Sequence, residues 1–258
     1  LPLDFLVSAI EKERYVENVN GIPGNINYGF DYKDREVSLN FWLRHFHGEH
    51  DQKLLKSELY AMLDSQPYFY VSDDRLPTRV LKLVVDEPYL PERIIGSNIS
   101  TLEFKCQIIG LPFWRTKYTT QEIEASGYTA IEEKYGLADG INVDYPNYTF
   151  DTKTIYVWNG GNVTIDPRNM PLSIKVNNIN SNGNFTIVND TTGEQFIYKT
   201  PIGATVLNLK GTKVLISTYN YLRDTNRKFI SLKPGLNKLR FLNGEFDNIR
   251  IDFPFFYK

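Results

Sequence analysis

The chain has 258 residues, 41% of them hydrophobic and 14% aromatic, and its 29 Lys and Arg against 31 Asp and Glu leave a net charge of -2. That apolar content excludes chain-wide disorder, and the near-neutral balance removes the electrostatic field that holds a polyanion. The length suits two domains, each with its own core.

Along the chain, "GIPGNINYG" holds Gly21, Gly24 and Gly29 but lacks the lysine and the strand-to-helix setting of a phosphate loop, so it reads as a plain loop. "REVSLNFWLRHF" then alternates: Val37, Leu39, Phe41 and Leu43 fall on one face, Ser38, Asn40, Trp42 and Arg44 on the other. This is the period of a half-buried strand. It runs into "LRHFHGEHD", which contains all three histidines, His45, His47 and His50, beside Glu49 and Asp51. Three imidazoles and a carboxylate suffice chemically for zinc. The structural reading is stronger, because Gly48 marks a turn, His45 and His47 share the apolar face, and nothing nearby supplies the outer partners of a catalytic metal. No metal and no cofactor are therefore expected, with the histidines as the runner-up site.

"EHDQKLLKSELYAMLD" puts Leu55, Leu59, Met62 and Leu63 at helical spacing, with Glu49 and Asp51 in the first turn, where the helix dipole favours negative charge. It is the one helix expected. "QPYFYVSD", "TRVLKLVVDE" and "STLEFKCQIIG" read as strands, the last carrying the single cysteine, Cys106, at a core position. One cysteine makes neither an internal disulfide nor a thiolate metal cluster. Exposed aromatic side chains beside arginine typify protein interfaces, which singles out Trp42 with Arg44, and Phe113 with Trp114 in "GLPFWR". Burial of any of these under its own domain's loops is the alternative.

Residues 121–140, interrupted by Gly127 and Gly136, read as a connector with at most one or two helical turns. Beyond it come short strands at even spacing: "KTIYVWN", "LSIKVNN", "NFTIVND", "EQFIYKT", "ATVLNLK", "KLRFLNG" and "NIRIDFPFFY". Asparagine rises from 6 in residues 1–120 to 17 in 121–258, which suits tight turns. These features predict an antiparallel β-sandwich. Tyr156, Trp158 and Asn162 form a candidate carbohydrate platform, with an ordinary strand position for Trp158 as the alternative.

No nucleophile elbow is present. The carboxylate pairs Asp73/Asp74, Asp86/Glu87 and Glu132/Glu133 fall in turns or charged stretches, and the five Asn-x-Ser/Thr sequons (Asn98, Asn147, Asn162, Asn184 and Asn189) are expected in an Asn-rich chain. No reaction is visible, no enzyme is expected, and no apolar run approaches the roughly 18 residues of a membrane span. The expected fold is mainly β: an α+β N-terminal domain with one helix (1–120), the connector (121–140), and a C-terminal β-sandwich (141–258).

The blocks "GIPGNINYGFDYKDREVSLNFWLR", "LLKSELYAMLDSQPYFYVSDD" and "PERIIGSNISTLEFKCQIIGLPFW", in that order, resemble the distal tail protein family of long-tailed, non-contractile bacteriophages, over residues 15–115. "ISLKPGLNKLRF" and the final "NIRIDFPFFYK" resemble how such proteins end. The resemblance implies a hexameric ring in the virion's tail tip, formed by N-terminal domains around a channel that DNA crosses without specific binding. It implies the major tail tube protein on one side, the tail-associated hub protein on the other, and a galectin-like or jelly-roll C-terminal domain carrying receptor-binding proteins. It also implies assembly in the bacterial host cytoplasm and a further opening segment before Leu1. The histidine cluster matches no family motif. A carbohydrate-binding module of a cell-surface-binding protein is the alternative function.

Overall fold

A computed structural model describes residues 2–64, 67–126 and 142–258. The chain divides into two compact units, Leu1–Trp114 with Lys258, and Arg115–Tyr257.

The first unit contains β1 (Pro2–Val7), β2 (Lys12–Glu17), β3 (Ile26–Tyr32), β4 (Val37–Arg44), α1 (Glu49–Leu63), β5 (Phe69–Asp73), β6 (Leu76–Val84), β7 (Glu92–Arg93) and β8 (Ile99–Ile108). Its main sheet runs β1-β4-β8-β6, with β5 on β6 and β7 on β8. The alternation read in β4 fixes its register: Val37 lies opposite Cys106, Leu39 opposite Phe104 and Phe41 opposite Leu102. A slip of one residue would turn this whole apolar set to water. Leu59 and Leu63 of α1 join Val37, Leu39, Leu81, Leu83 and the inward residues of β8 in one core. Met62, expected on that helical face, is exposed instead, because the contact is carried by an i, i+4 pair and Met62 falls to its side.

β2 and β3 form a two-stranded sheet of their own. The glycine stretch expected to be loop is thus partly strand. Gly29 sits within β3 at φ 113°, where the register shifts between Tyr15 and Val16. A residue with a Cβ adopts that conformation poorly, so glycine permits the bulge.

β9 (Trp114–Thr116) stands at the unit boundary. The second unit continues with α2 (Thr120–Ala125), β10 (Thr149–Phe150), β11 (Thr154–Asn159), β12 (Ser173–Ser181), β13 (Phe185–Asn189), β14 (Glu194–Tyr198), β15 (Ile202–Lys210), β16 (Lys213–Ile216), β17 (Tyr219–Asn220), a 3-10 turn (Leu222–Asp224), β18 (Gly235–Leu242), β19 (Asn248–Asp252) and β20 (Phe256–Tyr257). Its two sheets are antiparallel, ordered β10-β19-β12-β15-β16-β17 and β11-β18-β13-β14. Ile155, Val157, Leu239 and Phe241 of one sheet and Ile174, Val176, Ile249 and Ile251 of the other are all at most 2% exposed, which makes the pair a sandwich around one apolar layer.

Composition shifts near residue 120, but packing divides the chain between Trp114 and Arg115. The reason lies in α2. Buried Thr120 donates through Oγ1 to the Ile251 carbonyl (3.1 Å), and its amide donates to Phe253 O (3.0 Å), tying the helix to the second unit. The rest of the expected connector, with Gly127, Glu132, Glu133 and Gly136, lies outside the described residues.

Candidate assembly surface

The histidine turn separates its imidazoles. His45 is 4% exposed, its amide donates to Asn98 O (3.0 Å), and its ring Nδ1 is buried without a hydrogen-bond partner. His47 and His50 are exposed. The Asp51 carboxylate accepts the amides of Phe46 (2.7 Å) and His47 (3.2 Å), and these two bonds hold its carboxyl below the usual carboxylate range. Among the described residues, no three His, Cys, Asp or Glu side chains converge on a point where an ion could bind. The turn is built by Asp51, with one ring packed inward.

Trp42 is 42% exposed on the outward face of β4, together with Arg44, whose guanidinium lies 5.0 Å from the Phe46 ring centre. Phe46 is itself 69% exposed. The Phe113–Trp114 pair packs within its own unit. Phe113 is buried and packs edge-on to Tyr32 at 5.5 Å, while half-buried Trp114 packs on Phe5 at 5.6 Å. Arg35 fixes this segment by donating from Nε to Pro112 O (2.7 Å).

Sequence reasoning missed the β2–β3 arm. Every residue of β2 is exposed. On one face Lys12 and Arg14 lie over the Phe30 ring at 5.0 and 5.3 Å, and Phe30 meets Tyr32 edge-on. On the other, the Tyr15 hydroxyl donates to Asp31 (3.0 Å), the Tyr28 hydroxyl to Glu17 (2.9 Å), and Lys33 pairs with Glu13 at 2.7 Å. The arm therefore has a cationic–aromatic face and a mainly acidic, phenolic one. Period-two patterning could not reveal it, since among the described residues only Tyr32, at the end of β3, packs against a buried residue, Phe113.

In the second unit, Tyr156 and Trp158 share the outward face of β11, Tyr156 being 42% exposed and tilted against Tyr145. Asn162 lies beyond the turn that follows, where its amide donates to Phe256 O. A cavity of about 450 Å³ opens elsewhere in this unit, lined by Asp166, Arg168, Glu194, Arg227, Lys228 and Ser231 among others. None of the three carbohydrate candidates lines it. Its acids are already engaged: Asp166 by Arg168, and Glu194 by the amide and hydroxyl of Ser231 at 2.7 Å each.

Residues 3–106, almost the whole first unit, match the family model described as phage tail protein RIFT-related domain. The first unit thus carries a phage-tail-type domain. A search of curated proteins finds no match. Among solved structures, the chain is similar to the Dit protein of phage SPP1, with a TM-score of 0.72 at 12% identity, covering 100% of this chain and 93% of that one. The chain thus has the fold of that Dit protein. A chain of the phage p2 baseplate in its strontium-activated conformation gives a TM-score of 0.44 at 11% identity over 96% of this chain and 88% of that one. The calcium-activated form gives 0.46 at 11%, over 96% and 87%. No described helix is long and apolar enough to cross a membrane.

Proposed function

We propose that this protein is a phage tail component and the structural hub of a tail tip: a closed ring of six copies, formed by the first unit around a channel for DNA. In this reading the tail tube protein docks on one side of the ring and the tail-associated hub protein on the other. The second unit carries receptor-binding proteins, and the ring assembles in the host cytoplasm before entering the virion. The role is mechanical and asks for no bond chemistry.

The observation supporting the reading is the uneven placement of exposed apolar side chains. Among the described residues, nineteen large hydrophobic residues are exposed in the first unit and four in the second. Apolar exposure on that scale marks surfaces that other proteins cover. A ring repeats each contact around a closed circuit, so individually modest contacts sum to a stable hub. Purified protein mixed with tail tubes should be seen capping one end of each tube in electron micrographs. Absence of binding to tube and hub proteins alike would remove the proposal.

A second reading rests on Tyr156 and Trp158, whose shared outward face could stack a sugar ring. Titration with cell-wall glycans decides it, since binding that is absent, or unchanged in Trp158→Ala, excludes the platform.

A further inference from the structure

The first unit holds an open groove of about 640 Å³ whose apolar wall is made by Phe5, Phe41, Met62, Leu63, Phe69 and Val71. Its rim is charged by Asp73 and Asp74 against the single cation Arg75, and both carboxylates are exposed. We propose that the occupant of this groove is the β2–β3 arm of a second copy of the chain, inserted with its cationic–aromatic face inward. The proposal rests on the ring reading and identifies the contact that closes it.

Three observations support this pairing. A two-stranded ribbon is marginal in water by itself, yet this one displays Val16, Phe30, Ile22 and Val19 to solvent. It thus needs a partner surface. Second, the charges match on one face only. Lys12 and Arg14 flank Phe30 and would meet Asp73 and Asp74 at the rim, whereas Glu13, Glu17 and Asp31 on the opposite face would be repelled there. The arm's orientation is therefore determined, not just its affinity. Third, arm and groove are different patches of the same unit. A contact between unlike patches leaves a free arm at one end of a pair and a free groove at the other, so it propagates until a ring closes.

The test uses the full chain and reads its mass in solution, by light scattering and native mass spectrometry. Lys12→Glu with Arg14→Glu makes both the arm and the groove rim acidic, while Ser72→Lys with Asp74→Lys makes both basic. The second pair keeps Asp73, whose Oδ1 accepts the Arg75 amide in the turn. All four positions are exposed, so melting temperatures should match the wild type. Each variant alone should fall to the mass of one chain. An equimolar mixture should regain the wild-type assembly, because each arm then finds a groove of opposite sign. Variants that keep the assembled mass, or a mixture that stays monomeric while the wild type assembles, would overturn the arm-in-groove contact and leave the ring standing. A wild type that is monomeric at the highest attainable concentration would overturn both.

Discussion

Asn237 shows how a single side chain organises a turn in the second unit. It is fully buried, its Oδ1 accepts the Lys233 amide (2.9 Å), and its Nδ2 donates to the carbonyls of Lys233 (2.8 Å) and Gly235 (3.1 Å). Truncation would leave a buried amide and carbonyls without partners, so Asn237→Ala should destabilise the protein by roughly 1–3 kcal/mol in urea unfolding. Asn159 and Asn189 bracket other turns in the same way, while Asn178, Asn184 and Asn243 take positive φ. The sequence's Asn enrichment was legible as turn chemistry. Which asparagines hold turns from inside was not, because the same residue type serves both purposes. Burial likewise silences the Cys106 thiol, whose pKa is pushed up to about 12. Alkylation at pH 8 should leave it unmodified in the folded chain and label it after denaturation. Asp51 supplies a pH test. Its carboxyl is held low by the Phe46 and His47 amides, so its contribution is present above the ordinary carboxylate pKa and disappears as pH falls through the lowered value. Asp51→Ala should therefore lower the melting temperature at neutral pH, and the difference from wild type should shrink on acidification below about pH 4.

Among the elements, β4, β6, β8 and most strands of the sandwich were readable because each buries one face and alternates accordingly. The elements that escaped lack that signature. β2 presents charged residues to water on both faces, so a pattern that depends on burial has nothing to register. α2 was weak in sequence because only Thr120 and Ile123 are buried, and the bonds that anchor it reach residues more than a hundred positions away. The histidine stretch was legible as the turn between strand and helix, but which rings it buries was not: the turn after β4 sends His45 inward and leaves His47, expected on the same apolar face, outside with His50. An exposed ribbon opens more readily than a core strand. In monomeric protein the amides of β2 and β3 should exchange with deuterium much faster than those of β8, and assembly should slow the arm selectively. Equal exchange in the two states would place the arm outside the interface.

Across the whole molecule, two packed units divide the work unevenly. The second has a sandwich core built from both sheets and exposes few large apolar groups, whereas the first leaves Ile95 98% exposed, Phe46 69% and Tyr28 64%. The shift in asparagine content near residue 120 did not reveal this asymmetry; it emerges only when folding shows which hydrophobic residues fail to find a core. Order and spacing of the blocks over residues 15–115 were nonetheless enough to point to a phage tail protein, and residues 3–106 match that domain family. The most direct test of the ring is the mass of the purified wild-type protein at high concentration, with particle images of the same sample. The account predicts six chains in a closed six-fold ring, and a single-chain mass that persists to the highest attainable concentration would contradict it.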